Sequence, residues 1–302
     1  MRKNILITGA SGLIGTALVD LFRNKEAYKI IGVYNNNKPV IEDKNIIYLQ
    51  GELTQRKVWD DMKSLKIDAL IHCAAKTPGT FKGEAAEESR LVNLEIDKFA
   101  ISYARAENTK LIYISGTSVY GIFANKICDE DCETHPTGPY VKGKVESENE
   151  ILSDKAILKY FILRVSAPYG PYQRSETVLK IFTRNALAGK PLIYYGTGQR
   201  TQDFTYVKDV ARACLKAVEN DNYGVYNIAS GNSVSMKELA FFIKEITNSN
   251  SQIKASDKKD PQELYRPSFN ISKAKKFLGW FPGYPLKEGL REFIEYIKEN
   301  EL

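Results

Sequence analysis

Tyr140-Val141-Lys142-Gly143-Lys144 sets a phenol and an ammonium four residues apart, which on a helix opening near Pro139 places both on one face. A free tyrosine, with a pKa of about 10, is a poor base at neutral pH. A neighbouring cation and an oxidised nicotinamide favour its phenolate. Tyr140 and Lys144 are therefore the candidate catalytic pair, able to exchange a proton with a hydroxyl or carbonyl while a hydride passes between carbon and cofactor. The same spacing recurs at Tyr34 and Lys38. Spacing alone decides nothing; what gives the first pair weight is its position after a fifth predicted strand.

Gly9-Ala10-Ser11-Gly12-Leu13-Ile14-Gly15 follows an apolar run and opens an amphipathic one. Glycines there allow a tight turn and close backbone approach to a pyrophosphate, and the helix start offers unpaired N–H groups and a positive dipole end. Gly9, Ser11, Gly12, Leu13, Ile14 and Gly15 are thus candidate dinucleotide ligands. The ribose partner expected at the end of the second strand is an acid, yet Tyr34-Asn35-Asn36-Asn37-Lys38 stands there. Without a carboxylate to repel a 2′-phosphate, and with Asn35 and Lys38 as candidate contacts, the cofactor reads as NAD or NADP with a lean to NADP.

These groups need a scaffold that gathers distant segments at one edge. Short β-branched runs at 5–8, 29–34, 46–50, 69–73, 111–115 and 160–165 are predicted strands, separated by predicted helices at 13–23, 55–65, 84–108 and 140–152. The alternation predicts an α/β fold, a Rossmann-type doubly wound parallel sheet over residues 1–165. Pro168, Gly170, Pro171, Gly189, Pro191, Gly196 and Gly198 then mark a loop-rich stretch. A helix at 207–219 and a strand at 224–229 predict that the chain rejoins the first domain over about 205–229. That leaves 166–204 and 230–302 for a smaller substrate-binding lobe, in keeping with 302 residues, too many for one core.

The formal charge of +6 comes from 43 Lys and Arg against 37 Asp and Glu spread along the chain, without the clustered stripe that nucleic acid requires. No apolar run reaches about 18 residues, so no membrane span is predicted. Cys73, Cys128, Cys132 and Cys214 with His72 and His135 lack zinc spacing, and no metal is expected. Four cysteines in so long a chain read as free thiols of a reducing compartment, and the N-terminal apolar run lacks a cleavage signature; a cytoplasmic protein is predicted.

Further motifs complete the series: Gly51-Glu52-Leu53-Thr54, Ile71-His72-Cys73-Ala74-Ala75, Asn93, Ser115-Gly116-Thr117-Ser118-Val119-Tyr120-Gly121, Pro139-Tyr140 through Glu148, Arg164 to Pro171, Gly196 to Val210, and Tyr265-Arg266-Pro267 with Leu278-Gly279-Trp280. In this order, and almost end to end, the chain resembles the NAD-dependent epimerase/dehydratase family, extended short-chain dehydrogenase/reductases acting on nucleotide sugars. The resemblance implies Tyr140 as acid/base, Lys144 as its pKa partner and ribose ligand, and Glu52 near the adenine, with Leu53, Ala74, Ala75, Asn93 and Tyr140 itself also on the cofactor. It further implies Arg200, Gln202 and Arg266 on the substrate, Arg266 at its diphosphate, and a homodimer through the helices near 84–108 and 140–152. The implied activity is hydride transfer at a sugar carbon, as epimerase or 4-ketoreductase. A ketoreductase of a non-nucleotide small molecule and a catalytically inactive NAD(P)-binding sensor are the alternatives.

Departures from the family pattern are as informative. Gly116 stands where the resemblance implies a Ser or Thr donating to the reacting oxygen, which leaves Thr117, or else Ser115, as the candidate donor. Gln202 replaces an Arg before Asp203-Phe204, and Ala167 replaces an Asn before Tyr169-Gly170-Pro171. Thr117-Ser118 occupies the place of the Asp-Glu pair of the 4,6-dehydratase branch, so the expectation is against dehydration.

Overall fold

The structure, a computed structural model, describes residues 2–77, 83–124 and 126–301. In chain order the elements are β1 (Lys3–Thr8), α1 (Leu13–Arg23), β2 (Tyr28–Tyr34), β3 (Ile46–Gln50), α2 (Arg56–Lys63), β4 (Ala69–His72), α3 (Glu84–Ala106), β5 (Lys110–Gly116), β6 (Ile127–Cys128), α4 (Pro139–Ser153) and β7 (Tyr160–Val165). Then follow β8 (Pro168–Tyr169), α5 (Val178–Leu187), β9 (Leu192–Tyr194), β10 (Thr201–Asp203), β11 (Thr205–Tyr206), α6 (Val207–Glu219), β12 (Gly224–Ile228), β13 (Ser233–Ser235), α7 (Met236–Ile246), β14 (Ile253–Ala255), β15 (Ser268–Phe269) and α8 (Leu286–Glu301).

Seven strands form one parallel sheet in the order β12-β7-β5-β4-β1-β2-β3. Its strands are apolar on both faces because helices cover both. Ile5 and Ile7 of β1 pack with Leu18 and Phe22 of α1 and with Val210 and Cys214 of α6. Leu6, one residue out of phase, faces Leu70, Ile101 and Leu111 on the other side. The strand order reverses between β1 and β4, and a doubly wound sheet binds its ligand outside the carboxyl ends of the strands at that point. The glycine turn leaves β1 there, and residues 73–77 leave β4.

The predicted elements differ from the observed ones mainly at their ends. The helix predicted at 84–108 stops at Ala106 because Asn108 takes a positive φ of 51° and Thr109 donates its N–H back to the Ala104 carbonyl. β12 lies on β7 in the sheet, as the return of the chain requires. The stretch read as loop-rich after 166 contains α5, whose N-cap Thr177 accepts from the Lys180 N–H. Together with α7 and α8 it encloses a third core around Tyr169, Phe182, Leu239, Ile243 and Phe293. Among the described residues, no helix is long and apolar enough to cross a membrane.

Candidate active site

Pro139 begins α4, where a missing N–H breaks no helical bond. Tyr140, Lys144 and Glu148 then fall at i, i+4 and i+8 on one inward stripe. Tyr140 is half-buried; Lys144 and Glu148 are buried.

A buried cation needs partners, and Lys144 finds them on the neighbouring strand and helix. Its Nζ donates to the Tyr113 hydroxyl at 3.0 Å and lies 3.9 Å from Asp97 Oδ2. Burial would lower the lysine's pKa, but the Asp97 carboxylate and the phenols of Tyr113 and Tyr140 raise it well above the usual value. Asp97 accepts from the Tyr113 hydroxyl at 2.5 Å and the Ser147 hydroxyl at 2.7 Å on Oδ2, and from His72 Nε2 at 2.9 Å on Oδ1. Against its burial, the Lys144 charge and the His72 and Tyr113 bonds hold its carboxyl at about 2. His72, Asp97, Tyr113 and Ser147 went unrecognised in the sequence, although Tyr113 stands two residues before Ser115 on β5 and so shares its face.

Ser115 was one of two candidate donors to the reacting oxygen, and the structure commits it elsewhere. Register pairs Ser115 of β5 with Arg164 of β7. Both side chains turn to Glu148, the serine donating at 2.5 Å and the guanidinium at 2.7 Å. Thr117 lies just past the strand in a 3-10 turn, Thr117–Tyr120, which packs on α4. Thr117 is a buried residue, and among the described residues no hydrogen bond engages its hydroxyl. Two substitutions therefore part company. Ser115→Ala strips a bond from a buried carboxylate and is expected to cost about 1–3 kcal/mol of stability, with activity per folded molecule near wild type. Thr117→Val is expected to keep stability and lose at least about tenfold in kcat, as removal of a hydrogen bond to a reacting oxygen does. Denaturant titration and initial rates decide it, and a fully active Thr117→Val eliminates this hydroxyl.

At the glycine turn, Gly9 has a φ of +68°, and a Cβ on Gly15 would stand 2.1 Å from the Gly9 carbonyl oxygen. Only glycine lets α1 start this close to β1. The first N–H groups of α1, at Leu13, Ile14 and Gly15, have no backbone partner among the described residues, whereas Gly12 donates to Gly9 and Thr16 to Gly12. This cradle fits a dinucleotide pyrophosphate. Ser11 flanks it, half-buried. Asn35 and Lys38 are exposed beyond β2, and no carboxylate occupies 35–38. Glu52 is exposed and accepts from Gln55 at 3.4 Å, while Leu53 is buried beside Trp59. Ala74 and Ala75 are half-buried after β4, on the segment that Asn93 clamps through both its amide atoms to the Lys76 backbone, at 2.7 and 3.0 Å. Asn93 thus acts on the loop, its amide already engaged there.

The three predicted substrate residues converge, since Thr201 donates its N–H to the Tyr265 carbonyl. Arg200 pairs with Asp260 at 2.8 Å. Arg266 donates to the carbonyls of Glu263 and Tyr265, with no carboxylate in ion-pair range among the described residues. Gln202 lies on β10, opposite Val234 of β13.

The sequence profile of the NAD dependent epimerase/dehydratase family matches residues 5–229. The chain belongs to that family. It is 30% identical to the dTDP-D-glucose 4,6-dehydratase of Bos taurus over 99% of this chain and 89% of that one. Among solved structures, the Thermotoga maritima UDP-glucose 4-epimerase with UDP-glucose is 28% identical, with a TM-score of 0.89 over 98% of this chain and 99% of that one. The Bacillus anthracis dTDP-glucose 4,6-dehydratase in complex with NAD is 25% identical, with a TM-score of 0.88 over 99% and 98%. Family membership makes the chain an NAD-dependent enzyme of the epimerase/dehydratase type, with the Rossmann-like fold read from its strand pattern.

Asp203, at the end of β10, accepts from the N–H groups of Ser230 at 2.8 Å and Gly231 at 2.9 Å, tying the loop after β12 to this patch. Burial nevertheless pushes its carboxyl up from 3.8 to about 6. A raised acid binds its proton more tightly in the folded chain, so its favourable contribution is complete below pH 3.8 and lost as pH rises through 6. The expected loss is on the order of 3 kcal/mol. Urea midpoints from pH 4 to 8 should show this decline in the wild type and its absence in Asp203→Asn; parallel curves would refute the assignment.

Proposed function

We propose that this enzyme transfers a hydride at C4 of a nucleotide-linked hexose, as an epimerase, with Tyr140 as acid/base and Lys144 as the cation that favours its phenolate. The observation that carries the reading is the stripe of α4, which sets the half-buried phenol four residues from a buried, charged lysine held by Tyr113 and Asp97. Bound at the glycine turn, NAD(P) supplies hydride acceptance and return. Tyr140 takes the proton of the sugar hydroxyl as the carbinol is oxidised and gives it back on reduction. Thr117 holds the reacting oxygen. Gly9 through Gly15 seat the pyrophosphate, Lys144 reaches the ribose, and Arg200, Gln202 and Arg266 hold the nucleotide diphosphate from a lobe formed by 166–204 and 230–302. We place a homodimer on the outer face of α3 and α4, where Leu91 is exposed; a monomeric mass by light scattering would remove it.

A 4-ketoreductase using NADPH is the second reading, favoured by the missing acid at 35–38 and the exposed Lys38. Incubation with UDP-, GDP-, CDP- and dTDP-sugars and their 4-keto forms, with NADH or NADPH, followed by absorbance and NMR, separates the two. Sugar conversion without net cofactor consumption establishes the epimerase. Stoichiometric consumption with a keto-sugar establishes the reductase, and a 4-keto-6-deoxy product would instead establish a dehydratase. Silence across the panel defeats the nucleotide-sugar reading.

A further inference from the structure

We infer that Asp97 is a positioning residue for the acid/base pair: a buried counter-ion that fixes the Lys144 ammonium through Tyr113 and links it to the cofactor loop through His72 and Thr8. The inference rests on the reading of Tyr140 and Lys144 given above. Five elements supply the parts. Asp97 comes from the inner face of α3, His72 ends β4, Tyr113 lies on β5, Lys144 and Ser147 on α4, and Thr8 ends β1 immediately before the glycine turn. Every one of these side chains is buried.

One arrangement satisfies these donors and acceptors together. Thr8 Oγ1 accepts from the N–H groups of Cys73 at 3.2 Å and Ala74 at 3.4 Å, leaving its own proton for His72 Nδ1 at 2.8 Å. In it His72 accepts at Nδ1 and donates from Nε2 to Asp97 Oδ1. Tyr113 and Ser147 donate to Oδ2, and the Tyr113 oxygen accepts from Lys144, whose ammonium also lies 4.5 Å from the centre of the Tyr113 ring. Both carboxylate oxygens are used, and a continuous chain of bonds runs from the backbone of 73–74 to the lysine beside Tyr140. A satisfied buried network of this kind has a single geometry, which is what a lysine needs to act on a neighbouring phenol from a constant distance. The groups that face Lys144 are Asp97 from α3, Tyr113 from β5, Tyr140 from its own helix and Cys73 from the loop after β4.

The sign of the effect follows from the charges. Asp97 offsets part of the ammonium's field at Tyr140, so removing it leaves the phenolate more strongly favoured, provided the lysine stays protonated. Three variants test this: Asp97→Asn, Tyr113→Phe, which keeps the carboxylate but breaks the bridge, and Ser147→Ala, which removes a bond to Asp97 that does not touch Lys144. The Lys144 ammonium is followed by carbon NMR of its ε-methylene in enzyme with NAD present, a readout that needs no turnover. It is expected to stay protonated to the alkaline limit of the fold in the wild type and in Ser147→Ala, and to titrate at lower pH in Asp97→Asn. The pH profile of kcat is expected to move to lower pH in Asp97→Asn, the direction in which the unscreened ammonium acts. Tyr113→Phe should lower kcat about tenfold with KM for the sugar little changed. A Lys144 titration and a pH profile unmoved in Asp97→Asn, with stability alone reduced, would overturn the inference. Should Asp97→Asn fail to fold, Tyr113→Phe with kcat and Lys144 titration both at wild-type values would overturn it equally. An enzyme silent on all sugars while the Lys144 titration moves as stated removes the proposed activity and leaves the network's hold on Lys144 standing.

Discussion

Tyr140→Phe is expected to lower kcat roughly 10²–10⁴-fold, the usual worth of a positioned general acid/base, while leaving the fold and dinucleotide binding intact. The fold should survive because phenylalanine keeps the half-buried ring, at the second position of α4, packed against the core as Tyr140 is. The ring remains in the variant, so the phenol oxygen is the only group lost. Dinucleotide affinity should survive because the cradle at Gly9 to Gly15 belongs to β1 and α1. KM for the sugar should change little, since a proton transfer made in the transition state is lost without loss of ground-state contacts. Single-turnover rates with a nucleotide sugar, alongside a dinucleotide-binding titration, read both quantities. A Tyr140→Phe enzyme within tenfold of wild type would move the acid/base role off this residue and with it the argument from the α4 stripe.

Much of the fold was legible because parallel strands buried on both faces show as plain apolar runs: Ile46–Gln50 and Tyr160–Val165 lie where the runs placed them. Ends were less legible, since a helix terminus is set by a single φ, as at Asn108. The small elements after 166, such as β10 with its three residues, are too short to carry a period. At the site, glycine spacing and Tyr-x-x-x-Lys are local patterns and survive a reading without coordinates. The partners of Lys144 are not local. Asp97 lies 47 positions away and resembles any acid on an amphipathic helix; only the packing of α3 on α4 turns it beneath the lysine. Ser115 shows the converse failure, because its motif position fitted a catalytic role and its register with Arg164 commits it to Glu148.

Arg164→Met is expected to destabilise the protein by about 3–5 kcal/mol, the cost of leaving a buried charge without its partner. That is a large share of the total stability of about 5–15 kcal/mol typical of such folds. The guanidinium donates to Glu148 at 2.7 Å, to the Tyr120 hydroxyl at 2.9 Å and to the Glu130 carbonyl at 3.1 Å. Tyr120 in turn donates to Asn227 Oδ1, and the Asn227 amide donates to the carbonyls of Cys128 and Asn270. Directly or through Tyr120, one side chain on β7 thus joins α4, β6, β12 and the turn that carries Thr117 at the carboxyl end of the sheet. Methionine fills much of the volume but offers no donor, so Glu148 keeps only the Ser115 hydroxyl. Removing the acid as well relieves that isolated charge: the double variant Arg164→Met with Glu148→Leu should recover most of the loss, because a buried ion pair and an apolar pair of similar volume differ little in net stability. Urea unfolding of the two single variants and the double variant closes the cycle. Additive losses would mean that Arg164 stabilises the sheet through Tyr120 and Glu130 rather than through Glu148, and the stripe of α4 would then end, energetically, at Lys144.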